Sequence, residues 1–326
     1  MSNSKVLITG SAGFIGSHLT ELCAEEGYDI KAFVHYNSKN NWGWLEGSKC
    51  AGEVEIVSGD IRDYDSVYDA IKGCGTVFHL AALIGIPYSY VSPQAYIKTN
   101  IEGTYNVLQA ARELETENIL VTSTSETYGT AQYVPIDEKH PMAGQSPYSA
   151  TKIAADHLAL SYHRSFNLPV KVVRPFNTYG PRQSARAIIP TVIAQILNGQ
   201  TALKLGNLFP TRDLTFVRDT ANGFIEIAKS DELFGEITNI GMNDEVSIGD
   251  LVELIADLIK VELKVICDEQ RVRPKRSEVE QLRCDNSKLL KHTNWRPEYD
   301  LKKGLLETIE WMKSNMNYYK PEMYNI

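Results

Sequence analysis

Hydrophobic and polar positions follow two kinds of pattern along the first half of the chain. Short apolar runs, typical of buried strands, lie at residues 5–9, 30–34, 54–58, 76–79, 119–123 and 170–174. Longer runs with apolar residues at helical spacing lie at residues 13–26, 93–114 and 146–166. Strands that alternate with helices are typical of a parallel sheet with helices on both faces. The pattern therefore predicts an α/β fold with a doubly wound parallel sheet.

The regular alternation ends near Asn177. Proline and glycine cluster at residues 174–182 and 205–212, which predicts loops that shape a site rather than a sheet. Helical spacing returns at residues 188–197, 220–228 and 248–258. We expect these helices to belong to a smaller C-terminal α/β lobe that binds substrate. The chain then divides into residues 1–176 and 177–326, with some chain crossing between the lobes and a cleft along their junction.

Composition and charge limit the kinds of partner. The 326-residue chain is 43% hydrophobic and 23% charged, and its formal net charge is -8. Such a protein is not expected to bind nucleic acid or a membrane surface, and an anionic substrate would need a local basic pocket. The polar N-terminus carries no apolar signal segment, and no run of the chain is expected to span a bilayer.

Cysteines and histidines show no spacing typical of a metal site. The five cysteines are scattered and odd in number, and the seven histidines are dispersed. We therefore expect no disulfide framework and no bound metal. Free cysteines fit a reducing compartment, so we predict a cytoplasmic protein.

Glycines mark the junction between the first predicted strand and the first predicted helix. Gly10, Gly13 and Gly16 permit a tight turn there. They also let backbone N–H groups, including those of Phe14 and Ile15, approach a pyrophosphate at the helix N-terminus. A plain turn with close helix packing is the alternative. The position at the first strand–helix junction favours a dinucleotide-binding domain of Rossmann type.

The residues that would select the dinucleotide are less informative. Asp60 and Ile61 follow the third predicted strand, where a carboxylate can contact adenine, although Asp60 could equally be a turn or cap residue. The second strand is followed by His35-Tyr36-Asn37-Ser38-Lys39, which contains neither the acid that holds the ribose of NAD nor an arginine pocket for NADP. NAD is the expected cofactor, with NADP as the alternative.

Two polar groups could carry the chemistry. Tyr148 and Lys152 lie four residues apart at the start of a predicted helix, so that an ammonium group can stabilise the phenolate for proton transfer. Thr124, Ser125 and Glu126 follow a predicted strand at the sheet edge where ligands bind in such folds. A solvated helix face and a surface loop are the alternative readings of these two groups.

Several motifs occur together in one order. They are the glycine loop, Gly59-Asp60, Leu80-Ala81-Ala82, Ser123-Thr124, Tyr148-x-x-x-Lys152 and Arg174-Pro175-Phe176-Asn177. On these motifs the whole chain resembles the extended short-chain dehydrogenase/reductases, the NAD-dependent epimerases and dehydratases of nucleotide sugars. The resemblance implies a nucleotide-sugar substrate and adds Leu80, Ala81 and Ala82 to the expected cofactor contacts.

Two further features indicate narrower groups of that superfamily. Thr-Ser-Glu followed by Tyr-Gly resembles the 4,6-dehydratases and uronate decarboxylases. Residues 81–90 and 180–186 look like the dehydratases of legionaminic acid synthesis, which act on nucleotide-linked N-acetylglucosamine. The implied reaction is C4 oxidation with Tyr148 and Lys152, C5 deprotonation by Glu126, loss of water from C6 and hydride return. One branch of dehydratases has aspartic acid where this chain has Ser125, so Glu126 would be base and acid. Uronate decarboxylation and 4-epimerisation remain the alternatives.

The resemblance also suggests substrate contacts. These residues are Pro87, Tyr88, Ser89, Asn177, Arg186, Arg212, Arg273 and Glu278. Arginine forks suit phosphate oxygens, although a solvated or salt-bridged role is equally open for each arginine. The nucleotide (UDP, GDP or dTDP) is not determined. In relatives the helices equivalent to 93–114 and 146–166 form a four-helix dimer interface, so we expect a homodimer, with burial against the chain's own sheet as the alternative.

Overall fold

The computed structural model describes residues 5–274 and 276–323. The strands in chain order are β1 (Val6–Thr9), β2 (Ile30–His35), β3 (Glu55–Gly59), β4 (Thr76–His79), β5 (Asn118–Thr122), β6 (Val170–Pro175), β7 (Asn177–Tyr179), β8 (Ala202–Leu205), β9 (Thr211–Arg212), β10 (Leu214–Phe216), β11 (Ile237–Ile240), β12 (Val246–Ser247) and β13 (Lys264–Cys267). The α-helices are α1 (Phe14–Glu25), α2 (Tyr64–Ile71), α3 (Ile86–Val91), α4 (Pro93–Tyr96), α5 (Gly103–Glu113), α6 (Pro147–Phe166), α7 (Ile188–Leu197), α8 (Val217–Lys229), α9 (Ile248–Ile259), α10 (Ser287–His292) and α11 (Leu301–Ser314).

Seven parallel strands form the central sheet, in the order β3-β2-β1-β4-β5-β6-β11. The first six are the strands that the sequence predicts, and the predicted doubly wound α/β fold is confirmed. Successive residues of β1 enter opposite layers. Leu7 packs in one core with Val107 of α5, whereas Ile8 packs in another with Leu19 of α1. Both faces are buried, which explains the continuous apolar runs of the strands.

The second half of the chain contributes to both lobes. Strand β11 extends the central sheet beside β6, and α8 packs against α1. A separate core joins α7, α9 and α11, with Ile193, Leu251 and Leu305 fully or almost fully buried at its centre. Strand β11, which follows residue 176, completes the central sheet, so some chain crosses between the predicted lobes. The domain boundary at residue 176 stays a prediction.

The predicted loops at 174–182 and 205–212 contain short strands. Strand β7 pairs with β10 in parallel, and β9 pairs with β12 in antiparallel orientation. The prediction of loops alone was therefore wrong, because strands of two or three residues are too short to show a period along the sequence.

The predicted helix at 93–114 is also more complex. A π-helical stretch, Ile97–Glu102, lies between α4 and α5. Such a stretch accommodates a wider turn, which shifts the faces of the two flanking segments. The other long predicted helix is confirmed as α6, where Ser146 and Ser149 form a reciprocal N-terminal cap. None of the helices in the described ranges combines the length and the apolar character that a bilayer crossing needs.

Candidate active site

The glycine loop lies at the carboxyl end of β1, as predicted. Gly10 has a φ of +73°, and a Cβ atom at Gly16 would overlap the Gly10 carbonyl. Positions 10 and 16 must therefore lack a side chain to let α1 start so close to the loop. Among the described residues no side chain caps α1, and its first turn carries no acidic residue. These free amide groups fit a pyrophosphate, so the loop meets the requirements of a dinucleotide.

The second predicted cofactor segment lies directly against this loop. The Thr9 hydroxyl accepts hydrogen bonds of 3.1 Å from the backbone N–H groups of Leu80 and Ala81. A Cβ atom at Gly10 would lie 2.8 Å from the Ala81 nitrogen. The adjoining Ala82 is partly buried. The structure thus brings together two segments that lie 70 residues apart in the sequence.

Asp60 ends the third strand beside an arginine that the sequence analysis did not identify. Arg62 donates two side-chain hydrogen bonds to one Asp60 oxygen atom and one to the other. The hydrogen bond from the Arg62 side chain lowers the pKa of Asp60. Asp60 also accepts a bond from the Arg62 backbone N–H, so it does form a local turn. Ile61 is buried against Gly103 of α5.

The residues after β2 form a small closed loop over the glycine loop. The Asn37 side chain accepts from the backbone N–H groups of Lys39 and Asn41 at 3.2 Å and donates to the Asn41 carbonyl at 2.6 Å. Further along, the Trp44 N–H donates to the Ala12 carbonyl at 3.2 Å. The side chain of Asn37 is therefore used within its own loop, and no acidic residue lies between His35 and Asn41.

Tyr148 and Lys152 occupy the first turns of α6 and are both buried. Burial raises the pKa of the Tyr148 hydroxyl well above its ordinary value, and the hydrogen bond between Thr124 and Tyr148 opposes that shift. Burial lowers the pKa of the Lys152 ammonium group to about 8, and the charge of Asp156 opposes it. A desolvated ammonium group one turn from the phenol is suited to stabilise a phenolate when Tyr148 gives up its proton.

Thr124, Ser125 and Glu126 lie in the turn that follows β5. The Thr124 side chain caps this turn by accepting from the Glu126 N–H at 3.3 Å. Ser125 is 2% exposed, whereas Glu126 is only partly buried. Thr124 thereby connects the turn of Glu126 with Tyr148, to which it also forms a hydrogen bond, and the Glu126 charge influences the pKa of both Tyr148 and Arg212.

The base of the site holds a buried ion pair. One Asp156 oxygen atom accepts from two Arg174 nitrogen atoms, at 2.7 and 3.1 Å, and from the Ser123 hydroxyl at 2.7 Å. Arg174 also lies over the ring of Tyr128. Asp156 follows Lys152 by one helical turn, so this pair anchors α6 to β6 close to Lys152. Nothing in the sequence marks Asp156 for this role.

The predicted diphosphate residues form a second cluster. Arg212 donates to Glu278 at 3.3 Å, and Arg273 lies 3.6 Å from the same carboxylate oxygen atom. Burial lowers the pKa of Arg212, while the charge of Glu126 opposes the shift. The Asn177 side-chain oxygen atom is buried without a partner in the described residues. The two guanidinium groups thus provide donors for an anionic ligand, whereas the unpaired Asn177 oxygen atom is an acceptor that suits a hydroxyl or N–H group of a ligand.

The other predicted substrate residues lie in or beside α3. Pro87 is in the first turn of α3, and Tyr88 is 37% exposed. Ser89 is fully buried and donates to the Ile86 carbonyl at 2.6 Å, so its hydroxyl proton is already used. The Arg186 side chain lies beside the start of α3: a Cβ atom built at Gly85 would be 2.9 Å from the Arg186 Nη1 atom.

Asn100 is a site residue that sequence reasoning missed. Its amide accepts from the Leu83 N–H and donates to the Leu83 carbonyl, both at 2.9 Å, and also contacts the Thr151 hydroxyl of α6. It thereby fixes the segment after β4 to the catalytic helix. Its position inside the π-helical stretch could have signalled a role, but that stretch has no mark in the sequence.

Comparison with known proteins identifies the family. A family model described as GDP-mannose 4,6 dehydratase matches residues 7–308. The chain belongs to this family. The expected membership of the extended short-chain dehydrogenase/reductases is thereby confirmed, with nucleotide-sugar dehydratases and epimerases as its relatives.

Proteins with different activities are similarly close to this chain. A putative UDP-glucose 4-epimerase of Methanocaldococcus jannaschii is 30% identical, covering 95% of this chain and 99% of the relative. A UDP-N-acetyl-alpha-D-glucosaminuronate decarboxylase of Bacillus cytotoxicus is 32% identical, covering 96% and 99%. The structure of a dTDP-glucose 4,6-dehydratase of Streptomyces venezuelae with NAD bound has a TM-score of 0.87 and 26% identity, covering 97% and 99%. Similarity alone thus leaves the reaction open.

Proposed function

We propose that the protein is an NAD-dependent nucleotide-sugar 4,6-dehydratase. The observation that carries this proposal is the place of Glu126 in the turn after β5, whose capping residue Thr124 accepts from the Glu126 N–H and also forms a hydrogen bond with Tyr148. A carboxylate at this place is suited to remove a proton from a sugar carbon, a step that dehydration needs and simple 4-epimerisation does not. The family model and the dehydratase structure support the same choice.

NAD is the proposed cofactor. The glycine loop and residues 80–82 provide a backbone surface for it, and the structure of the Streptomyces venezuelae relative contains it. The Arg62 guanidinium group is engaged by Asp60, which makes it a poor partner for the additional phosphate of NADP. When bound, NAD supplies the acceptor for the C4 hydride and the donor that returns this hydride to C6.

The chain's own residues would move the protons. Tyr148 would act as the phenolate, stabilised by the Lys152 ammonium group and by the positive charge of the nicotinamide, and take the proton of the C4 hydroxyl as C4 becomes a ketone. The ketone acidifies the neighbouring C5 proton, which Glu126 removes. The C6 hydroxyl then leaves as water with a proton from Glu126, because the serine hydroxyl of Ser125 is a poor acid. After hydride is returned to C6 and a proton from solvent is added at C5, the product is a 4-keto-6-deoxy sugar.

We propose nucleotide-linked N-acetylglucosamine as the substrate, as the UDP or GDP derivative. The support is the resemblance of residues 81–90 and 180–186 to dehydratases that act on this sugar. Arg212, Arg273 and Asn177 would bind the diphosphate.

A homodimer is proposed as well. Ile97, Tyr105 and Phe166 lie on or at the end of the two helical segments expected at the interface, and each is between 45% and 46% exposed. Apolar side chains at this level on one pair of helices support a partner surface. Light scattering of the purified protein would give the mass of a dimer, whereas the mass of one chain would overturn this part of the proposal.

The reaction is tested in deuterated water with UDP- and GDP-N-acetylglucosamine and with NAD. A dehydratase gives a product that has lost one water and carries deuterium at C5, as measured by mass spectrometry and NMR. A 4-epimer of unchanged composition would reassign the protein as an epimerase. Carbon dioxide released from a UDP-uronate would reassign it as a decarboxylase. Tyr148→Phe is the control for enzyme contamination, because it removes the proposed base.

A further inference from the structure

Gln145 connects three segments of the candidate site. It immediately precedes Ser146, the N-cap of the helix that carries Tyr148. Its side-chain oxygen atom accepts from the Thr130 N–H at 2.7 Å. Its side-chain nitrogen atom donates to the backbone carbonyls of Arg276 and Glu278, at 3.2 and 3.5 Å. One amide thus contacts segments more than 130 residues away.

Ser277 completes the connection from the other direction. Its hydroxyl donates to the Gln145 backbone carbonyl at 2.7 Å and lies 2.5 Å from the hydroxyl of Tyr90. Ser277 is 9% exposed. Tyr90 belongs to α3, the helix of the predicted substrate residues. Gln145 and Ser277 therefore hold the backbone of residues 276–278 between the catalytic helix and α3.

Each connected segment carries a group of the proposed chemistry. Thr130 follows the turn of Glu126, Gln145 precedes Tyr148, and Glu278 pairs with Arg212 and Arg273. The turn beside Gln145 leaves little space, because a Cβ atom at Gly129 would lie 2.8 Å from the Gln145 side-chain oxygen atom. A shift of residues 276–278 would thus move Glu278, and with it the pairing of both arginines.

We propose that Gln145 and Ser277 are positioning residues that couple binding of the substrate's nucleoside diphosphate to the placement of Tyr148 and Glu126. They act through Glu278 and its arginines rather than by contact with the reacting sugar. This inference rests on the proposed function, since it assumes a nucleotide-linked substrate. The hydrogen bonds from the Gln145 side chain to the carbonyls of residues 276 and 278 require an N–H donor. Gln145→Glu would therefore keep the acceptor for the Thr130 N–H and lose both hydrogen bonds to residues 276 and 278.

The test measures binding of UDP, GDP and dTDP by calorimetry to the NAD-loaded full-length protein and to three variants. Gln145→Leu removes the acceptor and the donor of the side-chain amide, Gln145→Glu removes only the donor, and Ser277→Ala removes the hydroxyl. Gln132→Leu, the same change at an exposed glutamine outside the site, is the matched control. We expect dissociation constants about tenfold higher for the first three variants, in line with one or two lost hydrogen bonds, and no change for the control.

The steady-state constants provide the readout that distinguishes positioning from folding. With substrate, KM should rise more than kcat falls, and the melting temperatures of Gln145→Glu and Ser277→Ala should stay near that of the wild type. Unchanged diphosphate binding in both of these variants would overturn the inference. If the wild type binds a diphosphate and the variants bind it weakly, but no 4-keto-6-deoxy product forms, the inference stands and the dehydratase proposal fails. A wild type that binds none of the three diphosphates overturns both.

Discussion

The Asp156 carboxylate and the Arg174 guanidinium group form an ion pair that water does not reach. Their side chains are 1% and 0% exposed, and the contact at 2.7 Å is reinforced by a second one at 3.1 Å. The second Asp156 oxygen atom and the Arg174 Nη1 atom are buried without a hydrogen-bond partner in the described part of the chain. The pair joins α6 to β6 one helical turn after Lys152.

Arg174→Met should destabilise the protein by about 3–5 kcal/mol, because it leaves the Asp156 charge buried and unpaired. The double variant with Asp156→Asn should recover part of this loss. Urea unfolding monitored by circular dichroism measures both. The matched control is Lys313→Met, since Lys313 and its partner Glu310 are both exposed and such a pair contributes little. A loss for Arg174→Met as small as that of the control would contradict the structure.

Lys152 should make the stability of the cofactor-free protein depend on pH. Its pKa is about 8 in the folded protein against an ordinary value of 10.5, so the unfolded chain binds more protons between these two pH values. Stability should therefore rise with pH across that window. Lys152→Met removes the buried charge and should be more stable than the wild type by about 3 kcal/mol at pH 7, with a difference that shrinks toward pH 10.

Urea titrations at pH 7, 8, 9 and 10 measure this effect. The exposed Lys139→Met variant is the matched control and should differ from the wild type by a constant amount at every pH. A constant difference for Lys152→Met too would show that Lys152 titrates near its ordinary value when the protein is folded.

Glu126→Gln should separate oxidation from elimination. An amide cannot remove the C5 proton, so deuterium incorporation at C5 and product formation should both fall by at least about 100-fold. Substrate binding should change little, since the amide retains the shape of the acid. Ser125→Ala tests whether Ser125 takes part in the proton transfers, and this variant should still exchange the C5 proton for deuterium. Loss of exchange in Ser125→Ala with normal exchange in Glu126→Gln would reverse the proposed roles.

The sequence predicts the six strands that carry clear apolar runs, but not the seventh. Strand β11 has the sequence Ile-Thr-Asn-Ile, in which two polar residues are buried because they lie beside β6 inside the sheet. Only the pairing with β6 makes this segment a strand, and pairing across 65 residues leaves no local pattern. The π-helical stretch at Ile97–Glu102 was missed for a related reason, since its sequence has the spacing of an ordinary helix.

The candidate site divides in the same way. Tyr148, Lys152 and Glu126 can be predicted because spacing on a helix and location after a strand are local properties. Asn100 and Gln145 could not be predicted, because their importance lies in contacts with residues 17 and more than 130 positions away. A glutamine or an asparagine also has no chemistry that marks it as catalytic.

Gly16→Ala should weaken the binding of NAD. The added Cβ atom would overlap the Gly10 carbonyl, so the loop must move away from α1 and take the pyrophosphate-facing amide groups with it. Gly47→Ala is the matched control, because Gly47 has no atom within 4 Å of a built Cβ and no positive φ. Titration with NAD, followed by quenching of tryptophan fluorescence, should give a dissociation constant at least about tenfold higher for Gly16→Ala and unchanged for Gly47→Ala. Equal affinity in both variants, with both folded, would mean that the cofactor does not bind at the glycine loop.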